Sequence, residues 1–286
     1  MSFNEPFIKR GRGRPSKASQ MEKIKIVYDT APSETDEQIE ARLNERFEII
    51  NILTEACAVG NARSLILSGP AGVGKSYGVE TMLHRLDPNE INFNITKGFA
   101  RATGLFKLLY QYRLPGQVIV MDDADAIFGD DIALGLLKAV CDTSERRRVS
   151  WLAETNMVDE ESATPIPRHF DFNGSMIFIS NLDFDALIEK GHKFAPHLEA
   201  LVSRSHYIDC GMKTRRDYLI RIRSVIKQGL LNKLNNDQKN DVVKFIEDNH
   251  LNLRELSLRM AVKIGDLRKS SRDWSRIAKI TCCKNR

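Results

Sequence analysis

Gly69-Pro70-Ala71-Gly72-Val73-Gly74-Lys75-Ser76 fits the pattern G-x-x-x-x-G-K-S, and its flanks suit that pattern. Before it stands the apolar run Leu65-Ile66-Leu67, which reads as a buried parallel strand. After it, Val79, Met82, Leu83 and Leu86 recur at helical spacing, so a helix is expected to begin near Lys75. Glycines at such a turn let backbone N–H groups face inward around a phosphate. Lys75 can then reach the outer phosphates, and the Ser76 hydroxyl can ligate magnesium. The expected nucleotide-holding residues are Gly69, Pro70, Ala71, Gly72, Val73, Gly74, Lys75, Ser76 and Tyr77.

A second stretch answers the first. Val118-Ile119-Val120-Met121-Asp122-Asp123 is an apolar strand ending in two acids. In open parallel sheets, ligands bind at that C-terminal edge. Asp122 is the expected magnesium ligand, and Asp123 the residue that orients or polarises an attacking water. Asp125 is a spare carboxylate or a helix-start residue.

With these two motifs in place, residues 65–209 resemble the core of an AAA+ ATPase and residues 213–265 resemble its helical lid. The resemblance implies an α/β fold: a P-loop AAA+ core with a parallel sheet flanked by helices, and a small C-terminal helical lid. It also implies ATP and Mg2+ as cofactors, and hydrolysis within a ring or filament, with a hexamer expected. The family's second acid is usually Glu. Asp123 is one methylene shorter, which bears on catalytic rate more than on nucleotide binding. Met176-Ile177-Phe178-Ile179-Ser180-Asn181 resembles the sensor 1 strand, making Asn181 the residue that positions the lytic water. Leu201-Val202-Ser203-Arg204-Ser205-His206-Tyr207-Ile208 resembles the Ser-Arg-Cys segment of clamp loaders, whose arginine reaches a neighbouring subunit's nucleotide. Arg204 is that finger.

In the lid, helices are expected over 216–228, 237–249 and 253–264. Asn252-Leu253-Arg254-Glu255 reads as a cap followed by a capping-box Glu, placing Arg254 in a first helical turn. The family keeps its sensor 2 arginine there, so Arg254 is favoured over its rival Arg259, about 140° further round the helix. The short chain, the Asp-Asp strand end and the long insert before Asn181 resemble small AAA+ proteins encoded by phages.

Outside the motifs, Ile39, Leu43, Phe47, Ile50, Leu53 and Cys57 predict an amphipathic helix from Asp36 to about Val59. A strand is expected over 91–95, with helices over 105–112 and 132–140. Phe99, after the strand, is either packing or a grip on a threaded substrate. Arg146-Arg147-Arg148 reads by default as a solvated run, with a trans-acting charge or a nucleic-acid contact as the alternative.

An apolar share of 42% with 28% charged residues is ordinary for a soluble globular chain. No apolar run approaches membrane-spanning length, and the basic N-terminus lacks an apolar segment, so neither a signal peptide nor an anchor is expected. The five scattered cysteines fit buried thiols in a reducing cytoplasm, the host's if the chain is phage-encoded. Charge divides the chain into three: a basic tail at 1–25 (net +5), an acidic nucleotide-binding core at 26–212 (net −11) and a basic lid with a final helix at 213–286 (net +11). Such asymmetry suggests separate partners or neighbour-to-neighbour docking, with uneven solvated surfaces the equal alternative for the C-terminal part alone. In the tail, which reads as disordered, Lys9-Arg10-Gly11-Arg12-Gly13-Arg14-Pro15 resembles an AT-hook. Its thin backbone and arginines suit a narrow minor groove, so Lys9, Arg10, Arg12 and Arg14 are candidate duplex-DNA contacts. A solubilising tail is the equal alternative. Three functions remain open: a DNA-associated motor or loader, a remodeller of protein substrates, and a nucleotide-dependent switch with little turnover.

Overall fold

Alternation within the apolar strands builds the centre of the molecule. The computed structural model describes residues 34–98, 101–153, 157–159 and 163–284. The AT-hook-like tail and Phe99 lie outside the described residues. Strands β1 (Ser64–Ser68), β2 (Phe93–Lys97), β3 (Val118–Asp122), β6 (Ser175–Ser180) and β7 (His206–Asp209) form one sheet in the order β2-β3-β6-β1-β7, every neighbouring pair parallel. Parallel strands covered on both faces can be apolar throughout, and β1, β3 and β6 are buried at every position.

Successive side chains point to opposite faces. Leu65, Leu67, Val118, Val120, Ile177 and Ile179 share a core with Phe47, Ile50 and Cys57 of α1 (Asp36–Ala58) and Val79 and Leu83 of α2 (Lys75–Leu86). On the other face, Ile66, Ile119, Met121, Met176 and Phe178 pack against α3 (Ala102–Gln111) and α4 (Asp131–Val140). The long helix α1 starts where Thr35 and Gln38 form a capping box. Its outer turns meet Ile220 of α7 (Arg215–Lys227), which ties the sheet to the C-terminal helices.

Residues 141–174 are inserted between α4 and β6 and carry a small antiparallel pair, β4 (Arg148–Ser150) with β5 (His169–Asp171). The arginine run here is not simply solvated. Arg147 is buried, donating to Val140 O at 2.8 Å and Gly174 O at 2.9 Å, while Arg146 pairs with Asp171 at 2.9 Å. Short helices α5 (Phe184–Glu189) and α6 (Ala195–Val202) lead into β7.

After α7, the helices α8 (Asn236–Asn249), α9 (Leu258–Ser270) and α10 (Trp274–Cys282) gather their own core around Val225, Val242, Phe245, Ile246, Ala261, Ile264 and Ala278. This is the helical lid, set against the sheet domain.

Two expected elements move. The second strand starts at Phe93, not Ile91, because Asn92 N–H donates to the Asp87 carboxylate in a turn and Ile91 is left exposed. The expected helix over 253–264 begins only at Leu258. Residues 252–254 are instead drawn into an extended pairing with the chain's end: Arg254 N–H donates to Cys282 O at 2.9 Å and Lys284 N–H to Asn252 O at 2.8 Å. Asn252 therefore caps nothing. Ser257 does, its hydroxyl accepting from Met260 N–H.

Candidate functional site

The strand order explains why remote motifs meet. Since β6 lies between β1 and β3, the C-terminal ends of these three strands deliver the glycine-rich loop, Asn181 and the Asp122-Asp123 pair to one crevice. A cavity of about 550 Å³ opens there. Its lining includes Gly72, Gly74, Lys75, Ser76, Tyr77, Asp122, Asp123 and Asn181, with Leu258, Arg259, Val262 and Lys263 from the lid. Gly69, Pro70, Ala71 and Val73 complete the loop without lining the cavity.

The loop's glycines have steric reasons. Gly72 (φ 75°) and Gly74 (φ 106°) both occupy the left-handed region. A Cβ on Gly72 would sit 2.6 Å from Ser257 Cβ, and one on Gly74 would sit 3.0 Å from Leu258 Cδ1. The lid's α9 thus rests on the loop, and Leu258 N–H donates to Gly72 O at 2.8 Å. Gly74 occupies the N-cap of α2 without any side-chain cap, so the first N–H groups of α2 are available to an anion, and the helix dipole favours one.

Lys75 is buried, with Nζ donating to Gly69 O (2.6 Å), Pro70 O (2.9 Å) and Asn181 Oδ1 (3.1 Å). These are neutral oxygens, and burial lowers the ammonium's pKa from its usual value. Burial pushes the Asp122 carboxyl up, while the Ser76 hydroxyl, donating to Oδ1 at 2.9 Å, opposes that shift. A buried cation whose hydrogen bonds go to neutral oxygens, under an open helix N-terminus, fits a bound phosphate. The Ser76–Asp122 pair fits magnesium, which takes one or two carboxylates and completes its shell with phosphates and water. No group of three or more His, Cys, Asp or Glu forms a metal cage among the described residues.

Asp123 has φ 54°, a left-handed conformation uncommon outside glycine. Its Oδ1 accepts from Asn181 Nδ2 at 2.6 Å, and its Oδ2 lies 3.7 Å from Arg259 Nη2. Asn181 therefore bridges Lys75 and Asp123. Asp125 starts a 3-10 turn (Asp125–Gly129) and accepts from Ser180 Oγ at 2.6 Å, so it supports the strand end and does not line the cavity.

The lid arginine differs from expectation. Arg254, held by its backbone against Cys282, is not in a first helical turn and does not line the cavity. Arg259 occupies the second position of α9 and faces Asp123. Sequence reasoning chose the wrong cap, because the pairing of 252–254 with 282–284 has no local signal. It also passed over Lys97 and Glu80, which line the same cavity. Arg204 stands just before β7, beside the N-terminal end of β1 and so at the opposite edge of the sheet from the loop. Its guanidinium donates to Ala200 O at 2.7 Å and lies 3.5 Å from Asp142.

Comparison with known proteins agrees with the fold. Residues 65–172 match the family model for the ATPase family associated with various cellular activities (AAA). The chain is 35% identical over 265 residues to an uncharacterized 36.7 kDa protein of the nrdC–mobD intergenic region of Enterobacteria phage T4, covering 90% of this chain and 80% of the phage protein. With a nucleotide-binding loop, acid-ended strand and lid all in place, the chain belongs to the AAA ATPase family.

Proposed function

We propose that the protein hydrolyses ATP as a homo-oligomer whose sites are completed across subunit boundaries, and that it works as a DNA-associated motor or loader. The observation that carries this reading is the division of labour between the two edges of the sheet. One edge collects Lys75, Ser76, Asp122, Asp123 and Asn181, while Arg204 lies at the other, out of reach of its own chain's loop.

Lys75 binds the outer phosphates and the N–H groups of α2 surround them. Ser76 and Asp122 would hold magnesium, which when bound draws charge from phosphate oxygens. Asp123 takes the proton of the attacking water, with Asn181 holding its carboxylate in line. Arg259, and not Arg254, takes the sensor 2 role. It reports the bound phosphates to the lid by leaving Asp123. Arg204 of one subunit stabilises charge on the phosphoryl group in the next. The basic lid, and the AT-hook-like tail with Lys9, Arg10, Arg12 and Arg14, favour a DNA substrate over a protein one.

Mixing variants tests the shared site. Arg204→Ala should bind nucleotide but lose turnover by orders of magnitude, since trans arginines supply about 10³–10⁵ in rate in GTPases. Lys75→Ala should lose nucleotide binding. Mixed together, they should recover part of the parental activity, because some boundaries pair an intact loop with an intact Arg204. Normal hydrolysis by Arg204→Ala, with specific activity independent of concentration, would mean the site is complete in one chain. Stimulation of turnover by duplex or single-stranded DNA tests the substrate assignment.

A further inference from the structure

Lys97 ends β2 and pairs in register with Asp122 of β3. Its Nζ donates to Glu80 Oε1 at 2.6 Å and lies 3.6 Å from Asp122 Oδ2. Glu80 is one helical turn after Ser76, so the two side chains leave α2 on the same face. Asp122 is thus shared: one oxygen accepts from Ser76, and the other faces an ammonium. Asp122 is nearly inaccessible, its side chain 6% exposed, whereas the Lys97 side chain is 58% exposed. The carboxylate is fixed and the lysine is the partner able to move.

We propose that Lys97 is a positioning residue for the metal corner: a tethered counter-cation that holds Asp122 and Glu80 before nucleotide arrives and competes with the divalent cation for Asp122. The proposal rests on the reading of this crevice as a nucleotide–magnesium site. A cation on Ser76 and Asp122 sees the ammonium as a like charge. Glu80 gives Lys97 an alternative anchor, so the ammonium can give up Asp122 without becoming unpaired. The consequence is a metal corner that is weak by itself and becomes strong when phosphates add their own charge. Lys97 is not a phosphate ligand in this scheme, since it touches carboxylates. That separates it from Lys75, which touches neutral oxygens.

The test uses the full chain with mant-ADP, and Mn2+ as the probe metal, free Mn2+ being read by electron paramagnetic resonance. Lys97→Met should tighten Mn2+ binding to the ADP complex about tenfold, the effect of removing one like charge near a divalent ion in a partly solvated site. Its mant-ADP affinity in EDTA should stay within about twofold of the parent, because Lys97 pairs with carboxylates and not with the nucleotide. Glu80→Gln should weaken Mn2+ binding by sending Lys97 wholly to Asp122, and should have no effect in the Lys97→Met background. Lys97→Arg should behave as the parent. Unchanged or weaker Mn2+ binding in Lys97→Met overturns the proposal. So does a parallel loss of metal-free mant-ADP binding, which would make Lys97 a phosphate ligand. If the parent binds neither mant-ADP nor Mn2+, the nucleotide site fails and this inference with it. If the parent binds both and Lys97→Met changes nothing, only this inference fails.

Discussion

Asp123 combines a strained backbone with the activating role proposed for it, and two substitutions separate these properties. Its φ of 54° is tolerable for Asp and Asn, whose side chains bond locally, but costs Ala about 1 kcal/mol. Asp123→Asn keeps that tolerance and keeps an oxygen to accept from Asn181. It loses the Arg259 ion pair, worth at most about 0.5 kcal/mol with both partners half exposed. Asp123→Ala adds the backbone strain and removes the 2.6 Å hydrogen bond, about another 1 kcal/mol. The expected loss is below about 1 kcal/mol for Asn and about 2 kcal/mol for Ala, so Ala should melt lower by roughly 2–4 °C. Turnover should fall in both by about 10²–10⁴, the usual contribution of a general base. Nucleotide binding should survive in both. Thermal unfolding, mant-ATP titration and phosphate release measure the three quantities on the same preparations. Parental turnover in Asp123→Asn would refute the assignment of Asp123 as the activating acid. Equal stability of the Asn and Ala variants would refute the strain argument.

The buried cysteines make a pH prediction: burial pushes Cys57 up to about 12, and Cys141 and Cys210 up to about 11. Above about pH 8.5 the unfolded thiols lose protons that the folded ones keep, so stability should fall as pH rises from about 9 to 11, and Cys57→Ala should lessen that fall in a series of thermal midpoints. Gly72→Ala should cost about 2 kcal/mol in urea unfolding and weaken ADP binding, because it combines a positive φ with a 2.6 Å clash against Ser257; parental values for both would mean that α9 does not rest on the loop in solution. Deleting residues 1–20 should weaken duplex-DNA binding, with the log K–log[salt] slope shrinking by about 0.9 for each phosphate the tail had neutralised. An unchanged affinity and slope would remove the tail from the DNA interface.

What could be read from the sequence follows the range of the interactions. The glycine loop, the strand from Val118 to Asp122 and the helix from Asp36 carry their reasons within a few residues: buried alternation, a cap, a φ only glycine adopts readily. Those elements stand where expected. The placement of Arg254 in a first helical turn does not hold, because Asn252 looks like a cap until residues 282–284, some thirty positions away, claim its backbone. Lys97 has no local signal, because only the register of β2 on β3 places that ammonium beside Asp122, and Glu80, one turn after Ser76, gains its meaning from Lys97. Arg147 looked solvated within a charge run, yet the carbonyls of Val140 and Gly174 needed a donor, and the insert folds around it. In each case the local pattern was compatible with two outcomes, and a distant partner chose between them.

The costs stored in this crevice have a common direction. Burial disfavours the charge on Lys75 and, with opposite sign, the charge on Asp122. Asp123 holds a left-handed backbone to keep its carboxylate between Asn181 and Arg259. Within the chain these groups compensate one another imperfectly: Lys75 with neutral oxygens, Asp122 with an exposed lysine at 3.6 Å, Asp123 with an arginine at 3.7 Å. A nucleotide with magnesium, held as proposed, would present an anion to Lys75 and a cation to Asp122 at the same moment, so one ligand would offset both penalties. It would also draw Arg259, and with it the N-terminal turn of α9, which already rests on Gly72. On the proposed reading, ligand binding and lid position are linked through the same few side chains, so a change in phosphate occupancy would alter the forces on the lid.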